Sequence, residues 1–184
     1  MQIIDTAIPD VKILVPRRYK DARGYFAETY NQKTLREIGV DAKFVQDNQS
    51  MSAESGVVRG LHYQIAPMAQ VKLVRVLRGS ILDVALDIRR GSPTFGRHVS
   101  VRLDADDGKQ VLIPLGFAHG FATLEVNTEV FYKVSNYYSP THERGIRWND
   151  AAIGIDWGIE EKAAILSERD RVHPTFEHAV DLFE

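Results

Sequence analysis

Short runs in which apolar and polar residues alternate fill most of the chain, and they predict β-strands rather than helices. The clearest is ILDVALDIRR from Ile81, which lies between the turn residues Arg78-Gly79-Ser80 and Gly91-Ser92-Pro93. Runs of this kind recur about every ten residues, with no long helical segment between them. The pattern predicts an all-β fold, a jelly roll or a β-barrel, with a few short helices.

Several local elements follow from the same pattern. Pro9 and Pro16 interrupt the alternation from position 2 to 15 and predict two edge strands, because proline cannot donate to a sheet. Asn31 is expected to cap a short helix that Gly39 ends. The run VKLVRVL should form a hairpin with ILDVALDIRR, and EEKAAILSERD (160–170) should form one short helix. Trp148 and Trp157 are expected to cover one end of the barrel.

Composition narrows the class of protein. The 184 residues are 44% hydrophobic and 26% charged, which suits one domain spanning residues 1–184. The absence of cysteine rules out disulfides and thiolate metal sites, so a cytoplasmic location is the simplest expectation. A net charge of −2 argues against nucleic acid as a partner, and no segment approaches the ~20 apolar residues that span a bilayer. We therefore expect no membrane contact.

The stretch GVVRGLHYQIAPMAQVKLVRVL, from position 56 to 77, contains charged groups that packing alone does not explain. Lys72 shares a strand face with Val74 and Val76. An ammonium on the inner face of a sheet needs an anionic partner or a wet, functional cavity. Arg59 and His62 have opposite parity, so both can serve one cavity only if the strand is irregular at Gly60.

A row of polar residues precedes this stretch. Gln46, Asn48, Ser50 and Ser52 share one face of the strand predicted from Phe44. The row is either a solvated sheet edge or the hydrogen-bonding wall of a polar pocket.

The residue types favour proton transfer. His62, Lys72, His119 and Tyr132 offer a base, a positive charge and a phenolic acid, and no serine or cysteine nucleophile accompanies them. A base beside a carbonyl, a cation for the enolate and an acid on the other side together make an epimerase. No His-x-His pattern occurs, so we expect no metal. A packed histidine and tyrosine without any catalytic role are the simpler alternative.

An ordered series of motifs resembles the dTDP-4-dehydrorhamnose 3,5-epimerase family of nucleotide-sugar epimerases. The series includes DARGYFAE at position 21, QDNQSMS at 46, GVVRGLHYQ at 56, IPLGFAHGF at 113 and VFYKVSNYYSP at 130. The resemblance implies a cupin-like jelly roll without metal or cofactor. It also implies a homodimer that exchanges its N-terminal strands and a small-molecule substrate, a dTDP-4-keto-6-deoxyhexose.

The resemblance also implies roles. His62 is the expected base, Asp170 its orienting carboxylate, and Tyr132 the acid on the opposite face of the sugar. Lys72 is expected at the C4 carbonyl oxygen, with His119 assisting there or at a sugar hydroxyl. The expected substrate-binding residues are Arg23, Phe26, Glu28, Gln46, Asp47, Asn48, Arg59, Lys72, His119, Tyr138, Glu143 and Arg169. Arg169 departs from the lysine that is common in the family, so this contact is expected to change in shape but not in charge.

Three alternatives stay open at this point. Relatives that invert only C3 or only C5 keep much of the same catalytic set, so the sequence does not separate double from single epimerisation. A nonenzymatic nucleotide-sugar binder and a metal-dependent cupin are the other two.

Overall fold

The computed structural model describes residues 1–184 and consists mainly of antiparallel strands in two sheets. The first sheet comprises β1 (Gln2–Asp5), β2 (Lys12–Val15), β5 (Gln46–Ser52), β7 (Lys72–Arg78), β10 (Gln110–Ile113) and β12 (Thr128–Val134). The second comprises β6 (Val58–Gln64), β8 (Ser80–Asp87), β9 (His98–Asp104), β11 (Phe117–Thr123) and β13 (Glu143–Gly145). A separate hairpin contains β3 (Arg18–Asp21) and β4 (Gly24–Ala27). The helices are α1 (Gln32–Glu37), α2 (Glu168–Arg171) and the 3-10 turns Glu161–Ala163 and Phe176–His178.

Strand order brings distant parts of the chain together. The first sheet runs β1-β2-β10-β7-β12-β5 and the second β13-β6-β11-β8-β9. Strands that follow one another in the chain therefore often belong to different sheets, as expected for a jelly roll. The predicted all-β fold is confirmed.

The main core lies between the two sheets. Alternate residues of β7, β8, β11 and β12 point into it, as Val74, Ile81, Phe117 and Val130 do. All four are at least nine-tenths buried. The two-residue period read from the sequence therefore identifies the inner faces correctly.

Two further clusters cover the outer faces. Helix α1, capped by the Asn31 side chain as predicted, places Leu35 against Leu73 and Leu112 of the first sheet. The segment after β13 covers the second sheet, where Trp148 and Trp157 pack together with a centroid separation of 6.2 Å. The prediction that these tryptophans cover one end of the barrel is wrong, because they cover an outer face instead.

Three local predictions are corrected. Strand β2 is an inner strand, since it pairs with both β1 and β10, so of these two predicted edge strands only β1 lies at an edge. Strands β7 and β8 form no hairpin, because the chain crosses from one sheet to the other between them. The run 160–170 is not one helix. Ile165 forms a bridge with Val57, which holds the chain extended between the turn Glu161–Ala163 and α2.

The expected irregularity at Gly60 is present. The register between β6 and β11 shifts between the His62–His119 pair and the Arg59–Phe121 pair. Gly60 has a φ of 124°, and a Cβ there would lie 2.5 Å from the Gly120 Cα. Only glycine suits both the backbone angle and the close approach. No helix is both long enough and apolar enough to cross a membrane.

Candidate active site

A polar pocket of about 110 Å³ lies between the two sheets. His62 reaches it from β6 of the second sheet, whereas Lys72 and Tyr132 reach it from β7 and β12 of the first. The remaining lining residues are Gln46, Asn48, Tyr63, Gln64, Gln70, Tyr138 and Glu143. The pocket therefore presents His62 from one wall and Lys72 and Tyr132 from the other, and the polar row of β5 supplies part of the second wall.

His62 and Asp170 form a short hydrogen bond, with 2.5 Å between His62 Nε2 and Asp170 Oδ1. Burial alone would raise the pKa of Asp170, but the nearby His173 ring and hydrogen bonds from His62 and Ser167 outweigh it and hold that pKa well below its usual range. Since the carboxylate stays ionised, His62 Nε2–H is the donor. His62 Nδ1 is then left with a free lone pair, as a general base requires.

Asp170 lies far from His62 in the chain and reaches it through α2. Ser167 caps this short helix, and its hydroxyl donates to Asp170 Oδ2 at 2.7 Å. Asp170 is only 4% exposed, so it is a buried carboxylate although the residues before it are exposed. The helix contacts β6, which brings the carboxylate beneath the His62 ring.

Lys72 presents an ammonium without a carboxylate within ion-pair distance. Its only hydrogen bond is a long one, 3.5 Å from Nζ to the His62 carbonyl oxygen. Burial lowers the pKa of Lys72 to about 8, although Glu143 and Asp83 act in the opposite direction. The group is therefore charged below about pH 8 and has spare donors for an oxygen in the pocket.

Tyr132 is half-buried, and its hydroxyl forms no hydrogen bond with another residue. Burial raises the pKa of Tyr132, and the positive charge of Arg59 partly offsets this rise. The phenol therefore keeps its proton near neutral pH. It faces Asn48 on β5 and Val74 on β7, on the wall opposite His62.

His119 lies behind the pocket rather than in its lining. It is paired across the strands with His62, is 5% exposed, and bonds through Nε2 to Asp83 Oδ2 at 2.7 Å. Burial lowers the pKa of His119, although Asp83 opposes this. Asp83 Oδ1 is buried and has no hydrogen-bond partner. The predicted contact of His119 with substrate stays a prediction.

A second polar group rims the pocket. The Tyr138 hydroxyl donates to Glu143 Oε2 at 2.7 Å, and Arg169 forms an ion pair with the same carboxylate. Gln46 Oε1 accepts from the Tyr138 backbone at 3.0 Å, and Gln46 Nε2 donates to Asn48 at 2.8 Å. Five predicted binding residues thus meet at one rim, and Arg169 keeps the expected positive charge beside Glu143.

Other predicted binding residues do not reach this pocket within one chain. Arg23, Phe26 and Glu28 are exposed, and Arg23 forms an ion pair with Asp21 at 2.6 Å. Asp47 points to the opposite face of β5 and pairs with Lys133 at 2.8 Å. Arg59 lies outside the lining but close enough to influence Tyr132.

The sequence interpretation missed Tyr63, Gln64 and Gln70 in the pocket lining and Asp83 behind it. Gln64 and Gln70 line the pocket, and Gln64 Oε1 accepts a hydrogen bond from the Ser139 backbone at 2.7 Å. Asp83 shares an inner strand face with the buried Ile81 and Ala85, a parity signal that was available in the sequence.

His62, Asp170 and His173 are also the residues best placed to hold a metal ion, since their ligand atoms lie within 4.8 Å of one another. A direct hydrogen bond already occupies His62 Nε2 and Asp170 Oδ1. The proximity of these groups therefore needs no ion to explain it.

The fold and the site define a jelly-roll enzyme of the proton-transfer class, with a histidine–carboxylate base, a cation and a phenol around one pocket. The family described as dTDP-4-dehydrorhamnose 3,5-epimerase matches residues 5–178. The chain belongs to this family of isomerases.

Relatives agree over nearly the whole chain. A dTDP-4-dehydrorhamnose 3,5-epimerase of Salmonella typhimurium is 51% identical over 181 residues, 98% of each chain. The Legionella pneumophila epimerase, solved with dTDP-4-keto-L-rhamnose, is 44% identical with a TM-score of 0.92, and the match covers 96% of this chain and 93% of that one. A 3'-monoepimerase of Streptomyces bikiniensis, solved with dTDP-quinovose, is 33% identical with a TM-score of 0.86 over 94% and 87% of the chains.

Proposed function

We propose that the protein inverts C3 and C5 of dTDP-4-dehydro-6-deoxy-D-glucose to give dTDP-4-dehydro-L-rhamnose, in dTDP-L-rhamnose biosynthesis. The observation that carries this proposal is the opposed placement of His62 and Tyr132 around Lys72 in one pocket. The identity of 51% to a 3,5-epimerase, against 33% to a monoepimerase, favours double inversion.

Proton abstraction comes first. The C4 ketone acidifies the hydrogens on C3 and C5, and His62 Nδ1 takes one of them as a proton while the electron pair moves into an enolate. The charged Lys72 ammonium donates to the enolate oxygen, where a half-buried setting strengthens the attraction. Asp170 stabilises the imidazolium that forms and keeps the ring in one tautomer.

Reprotonation from the other side inverts the centre. Tyr132 gives its phenolic proton to the carbon while the enolate returns to a ketone, so one proton leaves on the His62 side and one arrives on the Tyr132 side. The raised pKa of Tyr132 ensures that the proton is present. Exchange with solvent then restores both groups, and the second carbon follows by the same route.

The nucleotide would bind along the polar rim. Gln46, Asn48, Tyr138, Glu143 and Arg169 meet there, and a guanidinium suits the pyrophosphate of dTDP. A nucleotide-sugar substrate agrees with the dTDP-sugar bound in the Legionella relative.

We further propose a homodimer in the cytoplasm. Phe26 is 70% exposed and Tyr25 58% exposed on the β3–β4 hairpin, too apolar a surface to be left open. In a dimer that exchanges N-terminal elements, this hairpin would bring Arg23, Phe26 and Glu28 to the partner's pocket, with Phe26 stacking on the thymine. Residues 1–184 would then act as one epimerase domain completed by its partner.

Incubation with dTDP-4-dehydro-6-deoxy-D-glucose in D₂O tests the function. Deuterium at both C3 and C5 is the expected result, and deuterium at one carbon alone would indicate a monoepimerase. Deuterium at neither carbon would show that the protein only binds its ligand. His178→Asn changes an exposed histidine that is not among the lining residues, so it is the matched control and should exchange normally.

A further inference from the structure

We infer that His173 is a positioning residue for the proposed reaction, acting through Asp170 on the base. The inference rests on the proposed function. His173 lies directly behind the His62–Asp170 pair, with 3.6 Å between its Nε2 and Asp170 Oδ1. That oxygen is the one bonded to His62, so two imidazoles share one carboxylate oxygen.

The burial of His173 requires a partner for its nitrogen. The residue is 9% exposed, and Nε2 is buried without a hydrogen-bond partner, with Asp170 Oδ1 3.6 Å away. A buried N–H is costly unless it meets an acceptor, and Asp170 Oδ1 is the acceptor in front of it. The Asp170 carboxylate is thereby held between His62, His173 and the Ser167 hydroxyl.

The fold makes room for this ring. A Cβ on Gly145 would lie 2.3 to 2.5 Å from three atoms of the His173 ring, so glycine is needed there. Gly145 is the cross-strand partner of His62. The ring also meets the His62 ring edge-on, with centroids 5.4 Å apart. The Arg147 backbone N–H donates a hydrogen bond of 2.7 Å to the carbonyl oxygen of Pro174, which holds the segment around His173 against the chain that follows β13.

His173 does not line the substrate pocket, so its effect should fall on turnover and not on binding. Its N–H aims one carboxylate oxygen at His62 and fixes the angle at which the imidazole meets the sugar. Without this contact the Asp170 carboxylate can rotate about its Cβ–Cγ bond, and the His62 ring is then held less firmly.

The test compares His173→Phe, which keeps a planar ring but no donor, with His173→Gln, which keeps an amide N–H. We expect His173→Phe to lower kcat about tenfold at unchanged KM, and His173→Gln to recover most of the loss. The exposed His178→Phe is the matched control and should behave as wild type. Normal kcat in His173→Phe, or equal losses in the Phe and Gln variants, would overturn the inference.

A second variant covers the case in which His173→Phe does not fold. Gly145→Ala removes no functional group but forces the His173 ring away, so it should also lower kcat at unchanged KM. Full kcat in Gly145→Ala would contradict the inference. Inactive wild-type protein would instead contradict the proposed function, so the two failures are distinguishable.

Discussion

The molecule contains two histidine–aspartate pairs on neighbouring strands, and they differ mainly in burial. His62 and His119 face each other across β6 and β11, and each bonds to a carboxylate through Nε2. The His62 side chain is 27% exposed and lines the pocket, whereas the His119 side chain is 6% exposed behind it. In the proposed reaction, the same chemical pair is an accessible base in one place and a buried support in the other.

The electrostatic properties of the two histidine–aspartate pairs also differ. Burial lowers the pKa of His119, so this ring stays neutral and is not suited to cycle a proton. Asp170, in contrast, accepts several hydrogen bonds that keep it ionised and able to stabilise an imidazolium. The comparison indicates that the surroundings of a histidine, and not the presence of an aspartate, decide which pair can do acid–base work.

The largest expected effect comes from removing the histidine of the accessible His62–Asp170 pair. His62→Asn should lower kcat about 10³-fold, because the imidazole is the proposed base and Glu143, the carboxylate on that wall, is already held by Tyr138 and Arg169. His119→Asn is the matched control and should lower kcat by no more than about 10²-fold, since His119 moves no proton. Steady-state kinetics on both variants checks this, and equal losses would contradict the distinction.

Removing the charge of one carboxylate gives the next largest effect. Asp170→Asn should lower kcat about 10²-fold, because the amide can hold the ring but cannot stabilise its positive charge. KM should stay within about twofold, since the Asp170 side chain does not line the pocket. A rise in KM at normal kcat would place Asp170 in binding instead.

A smaller effect concerns pH. Burial lowers the pKa of Lys72 to about 8, and the deprotonated amine is a much weaker partner for an enolate. We expect kcat/KM to fall as pH rises through about 8. The Lys72→Arg variant should be less active than wild type. Because arginine stays charged at these pH values, the kcat/KM of this variant should not fall as pH rises through about 8. Constant wild-type activity up to about pH 10 would contradict the role of the ammonium.

The smallest expected effect tests whether Asp83, in the buried pair with His119, influences the charge of Lys72 in the pocket. Asp83 raises the pKa of Lys72, so Asp83→Asn should move the alkaline fall of kcat/KM to lower pH by less than about one unit. Asp47→Asn, an exposed carboxylate that pairs with Lys133, should leave the fall in place. Identical profiles for wild type and Asp83→Asn would show that the two walls are not coupled.

Strand faces were predictable from the sequence because they depend on a local period. The alternation around Lys72 and the irregularity at Gly60 are both present in the structure. The burial of Asp170 was not predictable from its neighbours, because it depends on α2 contacting β6, which is distant in the chain. Ile165 illustrates the same limit, since a bridge to Val57 overrides the helical preference of the residues around it.

The most direct test of the central claim is the behaviour of Tyr132→Phe with dTDP-4-dehydro-6-deoxy-D-glucose in D₂O. If His62 removes the proton and Tyr132 returns one from the opposite side, this variant should still incorporate deuterium while C3 and C5 keep their original configuration. Inversion at a wild-type rate would contradict the account, because the proton would then come from another group.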